Sequence, residues 1–140
     1  SILRPEVEQE ILPFCQLNNI GVLVYSPMQS GLLTGAMTKE RVQNLPDTDW
    51  RKNSANFQEP RLSQILALAD LLRQIGEAHG RTAGEVAVAW TLRHLAVTGA
   101  IVGARHPEQI DGIIGAIDFR LSEAEIQQIA DFVAESMPTT

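Results

Sequence analysis

Two stretches, Gly21-Val22-Leu23-Val24-Tyr25-Ser26 and Ala96-Val97-Thr98-Gly99-Ala100-Ile101-Val102, are apolar without the alternation of a half-exposed strand. Runs of this kind belong to parallel strands covered on both faces. Parallel neighbours cannot be joined by a tight turn, so the chain must cross back over the sheet, normally through a helix. The interval between the two runs supplies that crossover. Leu62, Ile65, Leu66, Ala69 and Leu72 recur on one helical face that runs towards His79, with Gly80 placed just beyond the C-cap. Thr82-Ala83-Gly84-Glu85 reads as a capping box. The helix behind it, Val86-Ala87-Val88-Ala89-Trp90-Thr91-Leu92, is apolar nearly all round, the pattern of a buried helix.

The flanks complete the pattern. Pro5 suits the first turn of a helix in which Val7, Ile11, Phe14 and Cys15 recur, with a kink expected at Pro13 and a stop at Asn18, Asn19 and Gly21. Pro27 ends the first strand. From Gly35 to about Glu59 the chain is polar and irregular, with one short helix expected over Lys39–Gln43; a connection this long is characteristic of a functional loop. After the second strand, Pro107 starts a short helix through Gln109, Ile110 and Ile113. Ser122-Glu123-Ala124-Glu125 is a second capping box, opening a last helix with Ile126, Ile129, Ala130 and Val133 on one face, and Pro138 ends the order.

Strands alternating with helices define an α/β chain with a parallel sheet. Two strands cannot cover this much apolar surface, so further strands are expected from polypeptide upstream of Ser1. The chain also has no initiating methionine and enters a helix almost at once, which reads as a cut inside a larger protein. A (β/α)8 TIM barrel takes about 250 residues. Residues 1–140 are expected to be a partial domain: the C-terminal portion of such a barrel, two parallel strands plus helices and a C-terminal helical tail, with the N-terminal part absent. Hydrophobic residues make up 44%, too many for a disordered chain. The net charge of -6 argues against nucleic acid or an anionic membrane as partner. No secretory signal and no apolar run near ~18 residues is present, so no membrane partner is expected. One cysteine, Cys15, read as a buried thiol, allows no disulfide framework and fits a cytoplasmic location.

Chemistry is expected where the strands end, the face on which barrels bind ligands. After the first strand, Tyr25 offers an aromatic face for stacking on a flat heterocycle. Ser26, Gln29 and Ser30 offer hydrogen bonds, and Gly31 lets backbone N–H groups approach a pyrophosphate closely. The alternative is an ordinary strand-to-loop turn with Tyr25 in the core. After the second strand, Gly103-Ala104-Arg105-His106-Pro107-Glu108-Gln109 leads into a helix N-terminus, where orphan N–H groups attract anions. Arg105 can fork onto a phosphate and Gln109 can bond an adjoining sugar or base; the alternative is a capped helix with a solvated arginine.

At this point the segments Tyr25-Ser26-Pro27-Met28-Gln29-Ser30-Gly31-Leu32-Leu33-Thr34-Gly35 and Ile101-Val102-Gly103-Ala104-Arg105-His106-Pro107-Glu108-Gln109 resemble those that follow the seventh and eighth barrel strands of aldo-keto reductases. Residues 81–94 are similar to that family's seventh barrel helix. The resemblance covers nearly the whole chain and implies NADP (NADPH) as cofactor. It implies that Tyr25 stacks on the nicotinamide, that Ser26, Met28, Gln29 and Ser30 contact nicotinamide and pyrophosphate with Pro27, Gly31 and Leu32 in the same segment, and that Gly103 and Arg105 flank the 2′-phosphate, with Ala104 between them as a further cofactor-binding residue. Gln109 is implied at the adenosine end. Asp47-Thr48-Asp49-Trp50-Arg51 resembles a stretch in some members whose arginine reaches the cofactor phosphates, which adds Arg51. The chain departs from the family at Gly112 and Ile113, where many members carry a Glu-Asn pair that bonds adenine, and at Ala36, where some carry lysine.

The resemblance further implies a parent enzyme that reduces aldehydes or ketones, small carbonyl substrates, by hydride transfer from NADPH. The proton-donating tyrosine and its lysine, aspartate and histidine helpers come from the first half of the family's barrel. No catalytic residue is therefore expected in this chain, and it is expected to be inactive alone. A non-catalytic NADP-binding sensor, similar to potassium-channel β-subunits, is the alternative. His79, His94, His106 and Cys15 have no metal-ligand spacing, so no metal is expected.

Overall fold

The first α-helix begins later than Pro5 suggests. In the computed structural model, which describes residues 1–137, Glu6–Glu8 form a single 3-10 turn and the first α-helix, α1, spans Ile11–Leu17. Pro13 therefore lies in the first turn of α1, where a missing N–H costs no hydrogen bond. The expected kink is corrected accordingly. The apolar stripe of α1 is also not a core face: Leu12 is buried, whereas Ile11, Phe14 and Leu17 are exposed.

Strand β1, Val22–Tyr25, pairs in parallel with β2, Val97–Ile101. Leu23 faces Gly99, Val24 faces Ala100 and Tyr25 faces Ile101, after an irregularity beside Thr98. The two strands are covered on one side only. Leu23 is 63% exposed, Tyr25 77% and Ile101 57%. The expectation of strands covered on both faces fails here because α4 lies against β2 while no described element covers the alternate side chains.

The intervening helices follow the apolar pattern closely. Helix α2 spans Lys39–Gln43 and is capped by Thr38. Helix α3 spans Arg61–Ala78, with Leu62, Ile65, Leu68, Ala69, Leu72 and Ile75 turned inwards. It stops at His79 and Gly80, whose φ of 64° is the left-handed conformation that ends many helices. Helix α4, Ala83–Thr91, has the complete capping box: the Thr82 hydroxyl accepts from Glu85 N–H at 3.0 Å, and the Glu85 carboxylate accepts from Thr82 N–H at 2.7 Å. Every residue of α4 is buried. It packs on α3, on the loop after β1 and on the 3-10 turn Ile114–Ile117, so it is the centre of the core. Each fully buried valine or leucine there contributes about 1.5–3 kcal/mol relative to exposure.

Helix α5 is a single turn, Glu108–Asp111, and α6 spans Glu123–Ser136 behind the Ser122 capping box. Helix α6 packs on α3. The join is polar at one end: His79, at the end of α3, meets the Glu125 carboxylate at 2.5 Å and its ring lies 5.1 Å from that of Phe119. Burial pushes the Glu125 carboxyl upward, but hydrogen bonds from Ser122 and His79 outweigh it and hold the group below its ordinary value. The expected break at Pro138 lies outside the described residues. Among the described residues no helix is long and apolar enough to cross a membrane, and no group of three or more His, Cys, Asp or Glu can hold a metal ion.

Candidate functional site

The register of the sheet decides where the site lies. Because Tyr25 is paired with Ile101, the segments that follow β1 and β2 leave the sheet side by side at one edge. Tyr25, at the last position of β1, is exposed and not in the core.

The segment after β1 is built from residues in left-handed conformation. Ser26, Gln29 and Ser30 have φ of 52°, 48° and 56°, and Gly31 has 95°. Side chains other than glycine seldom adopt such angles, and they concentrate at functional turns. The turn is held from below: Pro27, Met28, Leu32 and Leu33 are buried in the core. Of the residues expected to touch a cofactor here, Pro27, Met28 and Leu32 therefore have only main chain to offer. Ser26 and Ser30 are exposed. Gln29 donates to the Ser1 hydroxyl at 2.8 Å and to the Ser26 carbonyl at 3.4 Å, so its amide fastens the turn.

The segment after β2 is exposed throughout residues 103–111. Gln109 folds back on it: its side-chain oxygen accepts from the backbone N–H of Arg105 at 2.6 Å and of His106 at 3.4 Å. The amide of Gln109 thus shapes the turn that carries Arg105. Helix α5 is one turn long and carries Glu108 and Asp111, so helix-end attraction for anions is small there and the cationic contribution comes from Arg105. Gly112, at the position of the missing Glu-Asn pair, is engaged elsewhere: its carbonyl accepts from the Thr82 hydroxyl at 2.7 Å.

Arg51 arrives from the long loop, on the 3-10 turn Trp50–Asn53, which is steadied by the edge-on contact of Trp50 with Phe57 at 6.2 Å. Its guanidinium makes a two-pronged pair with Asp49, Nε to Oδ1 at 2.9 Å and Nη2 to Oδ2 at 2.6 Å, with both side chains largely shielded. The hydrogen bonds from the Arg51 side chain, then that from its backbone N–H, hold the Asp49 carboxyl at about 2, and Arg105 adds to the effect through its charge. Arg51 contacts that carboxylate directly, whereas Arg105 acts on it only as a weaker and more distant charge. Asp49 is the residue that sequence reasoning passed over; the signal was present in its position two before Arg51, as N-cap of a turn.

A pH titration tests this arrangement. Asp49 has its carboxyl depressed from 3.8 to about 2, so the loop contact is complete above pH 3.8 and is lost as pH falls through about 2. Carboxyl-carbon NMR of Asp49 should show that low midpoint. A midpoint near 4 would mean that the pair does not persist in solution. Two grooves of about 330 and 260 Å3 run along α2 and α3, and neither is lined by Tyr25, Arg51 or Arg105.

Together these features define an α/β protein in which two loops follow neighbouring parallel strands at one end of the sheet, with an exposed aromatic ring at one strand end and arginines on the loops. The chain belongs to the aldo/keto reductase family, whose model matches residues 1–134. It is 32% identical over 125 residues to the NADH-specific methylglyoxal reductase of Escherichia coli, covering 89% of this chain and 37% of that protein. It is 28% identical over 130 residues to the NADP(+) aldo-keto reductase yakc of Schizosaccharomyces pombe, covering 93% of this chain and 37% of that one. A solved glycerol dehydrogenase from Gluconobacter oxydans superposes with a TM-score of 0.89 at 32% identity, covering 99% of this chain and 42% of the other. The chain spans about two fifths of the length of these relatives.

Proposed function

We propose that residues 1–140 form the C-terminal portion of the (β/α)8 barrel of an aldo-keto reductase and provide its NADP(H)-binding side, the complete protein reducing a small aldehyde or ketone. The observation that carries this reading is the parallel pairing of Tyr25 with Ile101, which sets both strand-end loops at the same end of the sheet.

The residues suit a nicotinamide dinucleotide. The exposed Tyr25 ring is a platform for a flat heterocycle. The left-handed turn from Ser26 to Gly31 and the Ser26 and Ser30 side chains face the pyrophosphate, and Gly103, Ala104 and Arg105 take the 2′-phosphate. Gln109 orients Arg105 through the turn it closes. When bound, the cofactor supplies the hydride. The relatives' own names point both to NADH and to NADP(+), and Arg105 is the feature that favours the phosphorylated form here.

No proton donor is assigned within these residues, because the one tyrosine, Tyr25, takes the stacking role. Calorimetry on the chain should show NADPH binding more tightly than NADH, while NADPH consumption with a generic aldehyde stays at the blank rate. Turnover above blank would overturn the assignment of Tyr25. Absence of binding for both nucleotides would overturn the cofactor reading.

A further inference from the structure

We propose that Asp49 is an internal stand-in for a phosphoryl group, which the ligand must displace from Arg51, so that Asp49 sets how tightly phosphates are held on this edge. The inference builds on the nucleotide reading above and names the residue that tunes it.

The geometry carries it. A carboxylate that takes both Nε and Nη2 of an arginine uses the same fork that a phosphate oxygen pair would use. Asp49 and Arg51 are two residues apart on one tight turn, so the pair forms at little entropic cost and is not a chance surface contact. Their side chains are 18% and 15% exposed. Arg105 adds its charge to the same carboxylate. An anion that takes the Arg51 fork therefore meets a site already filled by Asp49, and its affinity is the difference between two similar interactions.

The same loop contains its own control. Lys52 pairs with Asp47 at 2.6 Å, but Asp47 is 94% exposed and its partner also donates to the Leu45 carbonyl. Asp47→Asn removes the same charge from the same loop without freeing an arginine fork. Asp49→Asn keeps a side-chain oxygen for the Arg51 N–H cap but loses the charged grip on the guanidinium.

The probe is inorganic pyrophosphate, titrated into the chain and read by calorimetry and by the Arg51 Nε–H resonance. In the wild type the Arg51 resonance should move to saturation as Asp49 is displaced. Asp49→Asn should bind pyrophosphate roughly three- to tenfold more tightly, the range expected for removing one competing ion pair, and Asp47→Asn should leave the affinity unchanged. The proposal is overturned if pyrophosphate leaves the Arg51 resonance in place, if Asp49→Asn binds no more tightly, or if Asp47→Asn gains as much. Parallel titrations with NADPH and NADH separate this from the cofactor reading. If pyrophosphate displaces Asp49 and neither nucleotide binds, Asp49 acts as proposed and the nucleotide assignment falls.

Discussion

Replacing Arg105 by alanine is expected to weaken NADPH binding about 10- to 100-fold and to leave NADH nearly unchanged. The two nucleotides differ only in the 2′-phosphate. A guanidinium that forks onto a phosphate makes charge-assisted hydrogen bonds worth about 1.5–3 kcal/mol, which is that range of affinity. Arg105 is exposed, and the turn that carries it is closed by Gln109, so the substitution removes the charge without disturbing packing. Lysine at the same position keeps the charge and loses the fork, and should recover part of the NADPH affinity. The comparison is made by calorimetry at fixed salt, because screening weakens an exposed contact. An equal loss for both nucleotides would place Arg105 at the shared pyrophosphate and remove the argument for NADP.

The strand ends that carry the candidate site are legible from residue types. Tyr25 and Arg105 each stand at the end of a β-rich apolar run, and the parallel pairing of those runs brings them to one edge. Capping chemistry was equally readable: Thr82 and Ser122 both close complete boxes, because the reciprocal bonds need only residues three apart. What the sequence hid was tertiary. The apolar stripe of Ile11 and Phe14 looks like a core face, yet which faces are buried depends on what lies opposite, and that is not encoded in the helix itself. Pro13 misled for a related reason, since its effect depends on a helix start that no capping residue announces. The side chains of Pro27, Met28 and Leu32 are turned into the protein by a tight turn in which Ser26, Gln29, Ser30 and Gly31 are left-handed, leaving only their main chain for a ligand. The Asp49–Arg51 pair is legible from their spacing on a turn, but the degree to which both side chains are shielded is not.

Gly76→Val is expected to destabilise the chain by roughly 2–4 kcal/mol, the cost of forcing backbone apart in a packed interior. Gly76 lies in the last turn of α3, and a Cβ there would sit 2.5 Å from the Arg81 carbonyl oxygen and 3.2 Å from the Thr82 carbonyl carbon. These are main-chain atoms and cannot swing aside. The Arg81 N–H also donates to the Gly76 carbonyl at 2.8 Å, so the close approach is fixed by a hydrogen bond. Better helix propensity than glycine offsets only about 0.5 kcal/mol. Gly80 makes the instructive contrast: a Cβ there would meet nothing within 4 Å, and its φ of 64° is what demands glycine. Gly80→Asn should therefore be tolerated, because asparagine accepts the left-handed region. Urea unfolding of the variants checks both statements; a Gly76→Val midpoint equal to that of the wild type would show that the α3–α4 corner is looser than described.

The central helix α4 touches the loop after β1 directly and reaches the loop after β2 through Thr82 and Gly112. All its residues are buried, and nothing on it belongs to the proposed chemistry. On the proposed reading it is a fixed strut between two arms that grip the nucleotide. Trimming a methyl group from Val86 would then alter the span between the arms, so ligand affinity would respond to a residue no ligand ever meets. In hydrogen-exchange measurements the amides of this strut should be the slowest of the chain, and their protection should rise or fall together with the grip on the nucleotide.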